Sequence, residues 1–190
     1  MATAAGWFDV ASTPLAGLAV VQRRQRDDSR GFFGRLYCAH ELSAVGFTEP
    51  VAQINHTLTL CRGTVRGLHF QYPPQADDKF VSCLRGEIFD VAIDLRRGSA
   101  TFLRWHAQVL SAENRASLFI PRGFAHGFQA LANDCELLYL HSKPYAADAE
   151  GALNARDPAL AIAWPLPITN LSERDAQHPC IDVGFTGIET

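Results

Sequence analysis

The chain has no excess of positive charge: 17 Lys and Arg against 20 Asp and Glu leave a formal net charge of −3 over 190 residues. Surfaces that hold nucleic acid or an anionic membrane carry the opposite balance, so neither partner is expected, although a local arginine cluster still suits a phosphate. The five cysteines (Cys38, Cys61, Cys83, Cys135, Cys180) are odd in number and contain no Cys-x-x-Cys pair. That removes a disulfide framework and a thiolate zinc site, and fits the reduced thiols of a cytoplasmic protein. No apolar stretch approaches the roughly 20 residues that cross a bilayer. Met1 to Val10 lacks the basic segment and apolar run of a leader, and Arg23-Arg24 is not followed by one, so export is not expected. Helical periodicity is weak, strand-helix-strand alternation is missing, and no repeat or low-complexity segment is visible, which excludes a doubly wound α/β fold.

What the chain does have is a hydrophobic content of 47% with 19% charged residues, enough for one domain with a sizeable core. From Pro14 to about Leu140 it is a series of short β-prone runs broken by Gly, Pro, Asn and Asp: Leu18–Val21, Thr64–Phe70, Phe80–Leu84, Ile88–Leu95, Thr101–Leu110, Ser117–Ile120 and Leu137–His141. Arg85-Gly86-Glu87 reads as a hairpin turn between two of these runs, and Arg97-Gly98-Ser99 as a second turn. Antiparallel pairing in a sandwich or barrel follows. Only His40–Val45 and Ser172–Ala176 look like short helices, the second capped by Ser172 with Glu173 and Asp175 in its first turn. The expected organisation is a single domain over residues 1–190, with a core at about 14–145 and a C-terminal segment at about 146–190 that wraps it.

Two stretches carry chemistry. In Val65-Arg66-Gly67-Leu68-His69-Phe70-Gln71, strand alternation places Val65, Gly67 and His69 on one face, which has little side-chain bulk and suits a cavity wall. Lys79 follows after a Pro-containing loop. Pro121-Arg122-Gly123-Phe124-Ala125-His126-Gly127-Phe128 resembles the second motif of the cupin barrels. The first cupin motif brings a His-x-His pair to a metal, but here the matching place reads His69-Phe70-Gln71, so a three-histidine metal site is not assembled. A barrel with no metal and no cofactor is the expectation.

Further motifs run collinearly through the chain: Asp28-Ser29-Arg30-Gly31-Phe32-Phe33, Gln53-Ile54-Asn55-His56, Gly86 to Arg96, Leu110 to Asn114, Leu138-Tyr139, Asp157-Pro158, Trp164-Pro165 and Leu171-Ser172-Glu173-Arg174-Asp175. Together with the two stretches above they resemble the dTDP-4-dehydrorhamnose 3,5-epimerase family over nearly the whole chain. The resemblance implies an all-β, cupin-type jelly-roll β-barrel with a few short, mainly C-terminal helices. It also implies an isomerase acting on a nucleotide-linked 4-keto-6-deoxyhexose at C3 and C5. A C–H beside a ketone is weakly acidic, so such a site needs a base next to it, a cation or donor for the enolate oxygen, and an acid on the opposite face. By resemblance His69 is the base, Asp175 orients it, Lys79 holds the enolate oxygen and Tyr139 reprotonates. Arg30, Arg66 and His126 match diphosphate contacts, Gln53 and Asn55 match nucleoside contacts, and Phe32, Tyr145 and Glu150 belong to the same pocket. The resemblance also implies a homodimer in which Arg30 serves the neighbour's site.

The chain departs from the family pattern at Gly34-Arg35, where a Glu is common, at Lys143-Pro144-Tyr145, where two adjacent tyrosines are common, and by one extra residue between Asn55 and His69. His40, His56, His106, His141 and His178 read as structural or surface residues. Two alternatives stand beside the 3,5-epimerase: an epimerase acting at a single centre, and a non-catalytic cupin that binds a sugar nucleotide.

Overall fold

The computed structural model describes residues 6–190; Met1 to Ala5, half of the stretch inspected for a leader, lie outside the described residues. The chain opens with β1 (Phe8–Ser12), β2 (Ala19–Arg23), β3 (Gln25–Asp28) and β4 (Gly31–Gly34), then a helical turn α1 (Ala39–Leu42) that continues as a 3-10 turn over Ser43–Val45. The barrel proper contains β5 (Gln53–Thr59), β6 (Val65–Gln71), β7 (Lys79–Arg85) and β8 (Glu87–Asp94). It continues with β9 (Trp105–Ser111), β10 (Ala116–Ile120), β11 (Phe124–Ala130) and β12 (Cys135–His141). A 3-10 turn (Ala147–Ala149), the short β13 (Glu150–Ala152) and α2 (Glu173–Gln177) follow, so the helical pieces are shared between the two ends of the chain.

The strands form two facing sheets, ordered β1-β2-β10-β7-β12-β5 and β13-β6-β11-β8-β9, with β3 and β4 in a separate hairpin. All strand pairs are antiparallel, as the short runs led us to expect. The expected hairpin at Arg85-Gly86-Glu87 is not one: β7 and β8 belong to different sheets, and the chain crosses between them at Gly86. Gly86 has φ +76° and a Cβ there would lie 2.8 Å from Cys135 Sγ, so the crossing needs glycine. The second turn is as expected, closed by Ser99 N donating to Arg96 O at 3.1 Å. Regular structure also starts earlier than residue 14, because β1 pairs with β2, and the first residues of Thr101–Leu110 belong to the turn rather than to β9.

Alternation along the strands separates three apolar layers. Val81, Cys83, Leu118, Leu137 and Tyr139 of the first sheet meet Ile88, Phe124 and Phe128 of the second between the sheets. Val21, Phe80, Phe119 and Leu140 point outward from the first sheet beneath Leu42 and Phe47 of the α1 region. Leu68, Val91, Ile93 and Ala125 point outward from the second sheet and pack beneath Leu153, Leu160 and Ile188 of the C-terminal segment. Burial of these side chains contributes roughly 1.5–3 kcal/mol for each Leu, Ile, Val or Phe.

Asp94, at the end of β8, anchors the 96–99 turn. It accepts from Arg96 Nη2 at 2.8 Å, Ser99 Oγ at 2.6 Å and Thr101 Oγ1 at 2.6 Å. Burial pushes its carboxyl up, but the guanidinium and hydroxyls outweigh this and hold it down at about 2. A depressed carboxylate contributes stability above its unfolded pKa near 3.9 and loses it as pH falls through the folded value. Wild-type stability therefore falls between about pH 4 and pH 2. Asp94→Asn should cost about 2 kcal/mol at neutral pH and remove much of that acid dependence, as read by thermal melts across this range; equal stability of the variant at pH 7 would refute the account.

Candidate active site

The alternation that builds the apolar layer at one end of the barrel builds a cavity at the other. Along β12, Cys135 and Leu137 are core, and the next two residues on that face, Tyr139 and His141, line the cavity. Along β7, Cys83 and Val81 are core and Lys79 lines the cavity; the antiparallel register sets Tyr139 beside Val81 and His141 beside Lys79. On the edge strand β5, Asn55 lies opposite Tyr139 and Gln53 opposite His141. The cavity they share with β6, β11 and the C-terminal segment measures about 810 Å³, within the range of small-molecule sites.

On the opposing sheet strict alternation fails, and its failure shapes the site. His126 of β11 pairs with His69 of β6, but Phe128 pairs with Arg66, so β6 carries one extra residue there. Arg66 and His69, expected on opposite faces, consequently both line the cavity. The crossing is tight: Gly67 has φ +116°, and a Cβ on it would lie 2.5 Å from Gly127 Cα.

His69 Nε2 lies 2.8 Å from Asp175 Oδ1. Asp175 is buried in the first turn of α2, where Ser172 Oγ caps its backbone N–H at 3.1 Å, as the sequence predicts. Burial pushes the Asp175 carboxyl up, but the His69 imidazole and the Gly67 N–H outweigh this and leave it below its ordinary value. Such a carboxylate fixes the His69 proton on Nε2 and leaves Nδ1 to take a proton from a ligand. Arg174 Nη2 sits 3.3 Å from the same Nε2, and Arg174 Nη1 pairs with Glu150 Oε2 at 3.1 Å, which also accepts from Tyr145 Oη at 3.1 Å.

Across the cavity Tyr139 is buried. Burial first, and the Asp90 carboxylate second, push its phenol above the ordinary value, so it stays protonated and is a donor. Asp90 is fully buried and contacts His126 Nε2 at 2.7 Å. Lys79 Nζ donates to Asp77 Oδ1 at 2.8 Å, and the other Asp77 oxygen contacts His141 Nδ1 at 2.8 Å. Gln53 Nε2 donates to Asn55 Oδ1 at 3.0 Å, and Gln53 Oε1 accepts from Tyr145 N at 2.9 Å. Arg66 reaches only Thr59 Oγ1 and the Leu58 carbonyl, and among the described residues it has no carboxylate partner.

Ten of the twelve residues singled out in the sequence thus converge: His69, Asp175, Lys79, Tyr139, Arg66, His126, Gln53, Asn55, Tyr145 and Glu150 all line one cavity. Arg30 and Phe32 do not reach it; they project from the β3-β4 hairpin, Arg30 paired with Asp28 and its side chain 87% exposed, Phe32 72% exposed. Arg35, at one departure from the family pattern, pairs with Glu41 outside the cavity. Gln71, which stands where a cupin ligand is common, spends its amide on the backbone of Gln75, Pro144 and Ala146. Ligand atoms of His69, Asp175 and His178 lie within 4.8 Å of one another, but the Arg174 guanidinium beside His69 opposes a cation there. Sequence reading missed Asp77, His141 and Arg174. His141 was detectable, because a residue two beyond Tyr139 on a strand shares its face.

A jelly-roll barrel that sets a carboxylate-held histidine on one sheet against a buried tyrosine and a lysine on the other, around one cavity, has the architecture of the cupin-type sugar epimerases. The family model described as dTDP-4-dehydrorhamnose 3,5-epimerase matches residues 12–182, and the chain belongs to that family. The dTDP-4-dehydrorhamnose 3,5-epimerase of Sinorhizobium fredii is 40% identical over 90% of this chain and 88% of its own. A crystal structure of dTDP-6-deoxy-D-glucose-3,5-epimerase from Legionella pneumophila, in complex with dTDP-4-keto-L-rhamnose, superposes with a TM-score of 0.89 at 35% identity, covering 96% of this chain and 99% of that one. ChmJ, a 3'-monoepimerase from Streptomyces bikiniensis solved with dTDP-quinovose, gives a TM-score of 0.81 at 33% identity over 88% of this chain and 85% of its own.

Asp175 titration reads the His69 contact directly. Followed by carboxyl NMR, Asp175 should titrate below the ordinary aspartate value in the wild type and move up in His69→Ala, where burial persists and the imidazole is gone; an unmoved midpoint would show that the contact is absent in solution.

Proposed function

We propose that this chain is an isomerase that converts dTDP-4-dehydro-6-deoxy-D-glucose to dTDP-4-dehydro-L-rhamnose by inverting C3 and C5. The observation that carries the proposal is the placement of His69 with Asp175 on one sheet and Tyr139 with Lys79 on the other, on opposite walls of one cavity. His69 removes the proton beside the C4 ketone, and Asp175 supports the imidazolium that forms. Lys79 faces the enolate oxygen as a fixed cation, and Tyr139 returns a proton to the opposite face of the ring, which is what inversion requires. Arg66, whose guanidinium lacks a carboxylate partner among the described residues, suits the diphosphate, with His126 beside it. Gln53, Asn55 and Tyr145 form the wall nearest the nucleoside, and Glu150 holds Tyr145 in place. No step in this scheme calls for a metal or an organic cofactor.

The exposed Arg30 and Phe32 complete a neighbour's cavity in a homodimer. No described helix is long and apolar enough to cross a membrane, and the free cysteines suit the cytoplasm. The likeness to a 3'-monoepimerase keeps inversion at one centre as the second reading.

Deuterium entry at C3 and C5 in D2O, followed by NMR with EDTA present, tests the reaction. Exchange at both centres is expected, with His69→Ala slowing it by at least about 100-fold and Tyr139→Phe impairing delivery on the second face. Exchange at one centre selects the mono-epimerase, and tight binding without exchange the non-catalytic cupin. A mixed dimer tests the exchange of hairpins: co-assembled Arg30→Ala and His69→Ala subunits regain one intact site if Arg30 serves the neighbour, and none if it serves its own chain.

A further inference from the structure

His141 lines the cavity beside Tyr139, yet the reaction outlined above gives it no task. It lies two residues beyond Tyr139 on the same face of β12, its ring 6.1 Å from the phenol ring and 18° from parallel. Asp77 accepts from its Nδ1 at 2.8 Å, which leaves Nε2 as the nitrogen that exchanges a proton, and Asn55 Nδ2 lies 3.4 Å from that Nε2. The carboxylate that fixes His141 is also the one that fixes Lys79. We propose that His141, oriented by Asp77, is the residue that restores the proton of Tyr139 after each inversion; the inference rests on the epimerase reading and deepens it.

The need arises from where Tyr139 sits. Burial and the Asp90 carboxylate both oppose a phenolate there, so the anion left after proton delivery has to be quenched before the next turnover. The groups that face it differ in what they can give. Burial pushes the Asp90 carboxyl on β8 up, but it is fully buried and has no route to bulk protons, and Thr57 on β5 is a hydroxyl; Arg66 on β6 keeps its protons, and burial pushes the Cys83 thiol on β7 up to about 12. Two imidazoles remain: His126 on β11, its ring 6.0 Å away, and His141. His126 has its Nε2 committed to the fully buried Asp90, and its side chain is 7% exposed; the His141 side chain is 15% exposed and lies toward the open end with Lys79 and Gln53. Each imidazole keeps one nitrogen free of a carboxylate, but of the two only His141 lies toward the open end, where it has access to bulk protons.

The step balances without a further reactant. The Nε2 proton of the His141 imidazolium passes through one water molecule to the Tyr139 phenolate oxygen, giving phenol and a neutral imidazole that keeps its Nδ1 proton on Asp77. Nε2 then takes a proton from solvent, while the proton collected by His69 leaves to solvent from the other wall.

Steady-state kinetics of His141→Ala and His141→Asn test this, with melting temperatures to establish that both fold. We expect kcat to fall about 10-fold or more with KM within about twofold, and added imidazole to restore turnover of His141→Ala while an equal concentration of sodium chloride does not. In a single turnover in D2O the first deuteron, delivered by Tyr139 from its resting phenol, should enter at the wild-type rate. A rise in KM alone would make His141 a substrate contact; unchanged kcat, or a loss that imidazole leaves untouched in a folded variant, would equally overturn the proposal. Wild-type exchange in the same experiment separates the two readings: its absence overturns the epimerase assignment and this inference with it, whereas its presence leaves the outcome to His141 alone.

Discussion

Gly67 and Gly127 meet across β6 and β11 with no room for a side chain, and the geometry of the site depends on that contact. The extra residue of β6 at this crossing reverses the parity of the strand. Were the ladder regular, a wall that presents His69 would turn Arg66 away from it. With the irregularity, a general-base candidate and a phosphate-binding candidate share one wall three residues apart. The neighbouring sheet needs no such device, since Lys79, Tyr139 and His141 follow from regular alternation on β7 and β12.

The two walls are therefore built differently and carry different electrostatics. On the β6 side a depressed carboxylate, Asp175, holds the imidazole of His69. On the β12 side burial and a neighbouring acid raise the Tyr139 phenol and keep it protonated, a hydrogen-bond donor facing the cavity. Separation onto opposing sheets lets the Asp175 carboxyl be lowered and the Tyr139 phenol raised, each by its own neighbours. Asp77 draws Lys79 and His141 into one network; burial raises its carboxyl, but the Lys79 ammonium and the His141 imidazole beside it outweigh that, leaving it below the ordinary value.

Much of this was legible in the residues. Short β-prone runs separated by turn formers declared an antiparallel β fold, and the Ser172 cap was readable because a hydroxyl before two first-turn acids has a local physical cause. The destination of β8 was not legible: Arg85-Gly86-Glu87 has the chemistry of a tight turn, and only tertiary packing against Cys135 makes it a crossing between sheets. The place of His141 on the Tyr139 face was legible from strand alternation, but its contact with Asp77 was not, because that partner is brought beside it from 64 residues away. The β6 irregularity escaped for a related reason, since alternation is a property of one strand and a bulge is a property of a pair.

Asp175 reaches the cavity from a segment that follows the last barrel strand, β12, and holds little regular structure of its own. During synthesis every strand of both sheets is available before this carboxylate leaves the ribosome. That segment supplies Asn170, Ser172, Arg174 and Asp175 to the cavity wall and Leu160 and Ile188 to the apolar layer outside the second sheet. One docked segment thus serves two ends at once: the same stretch that seals the outside of the second sheet brings the carboxylate to His69.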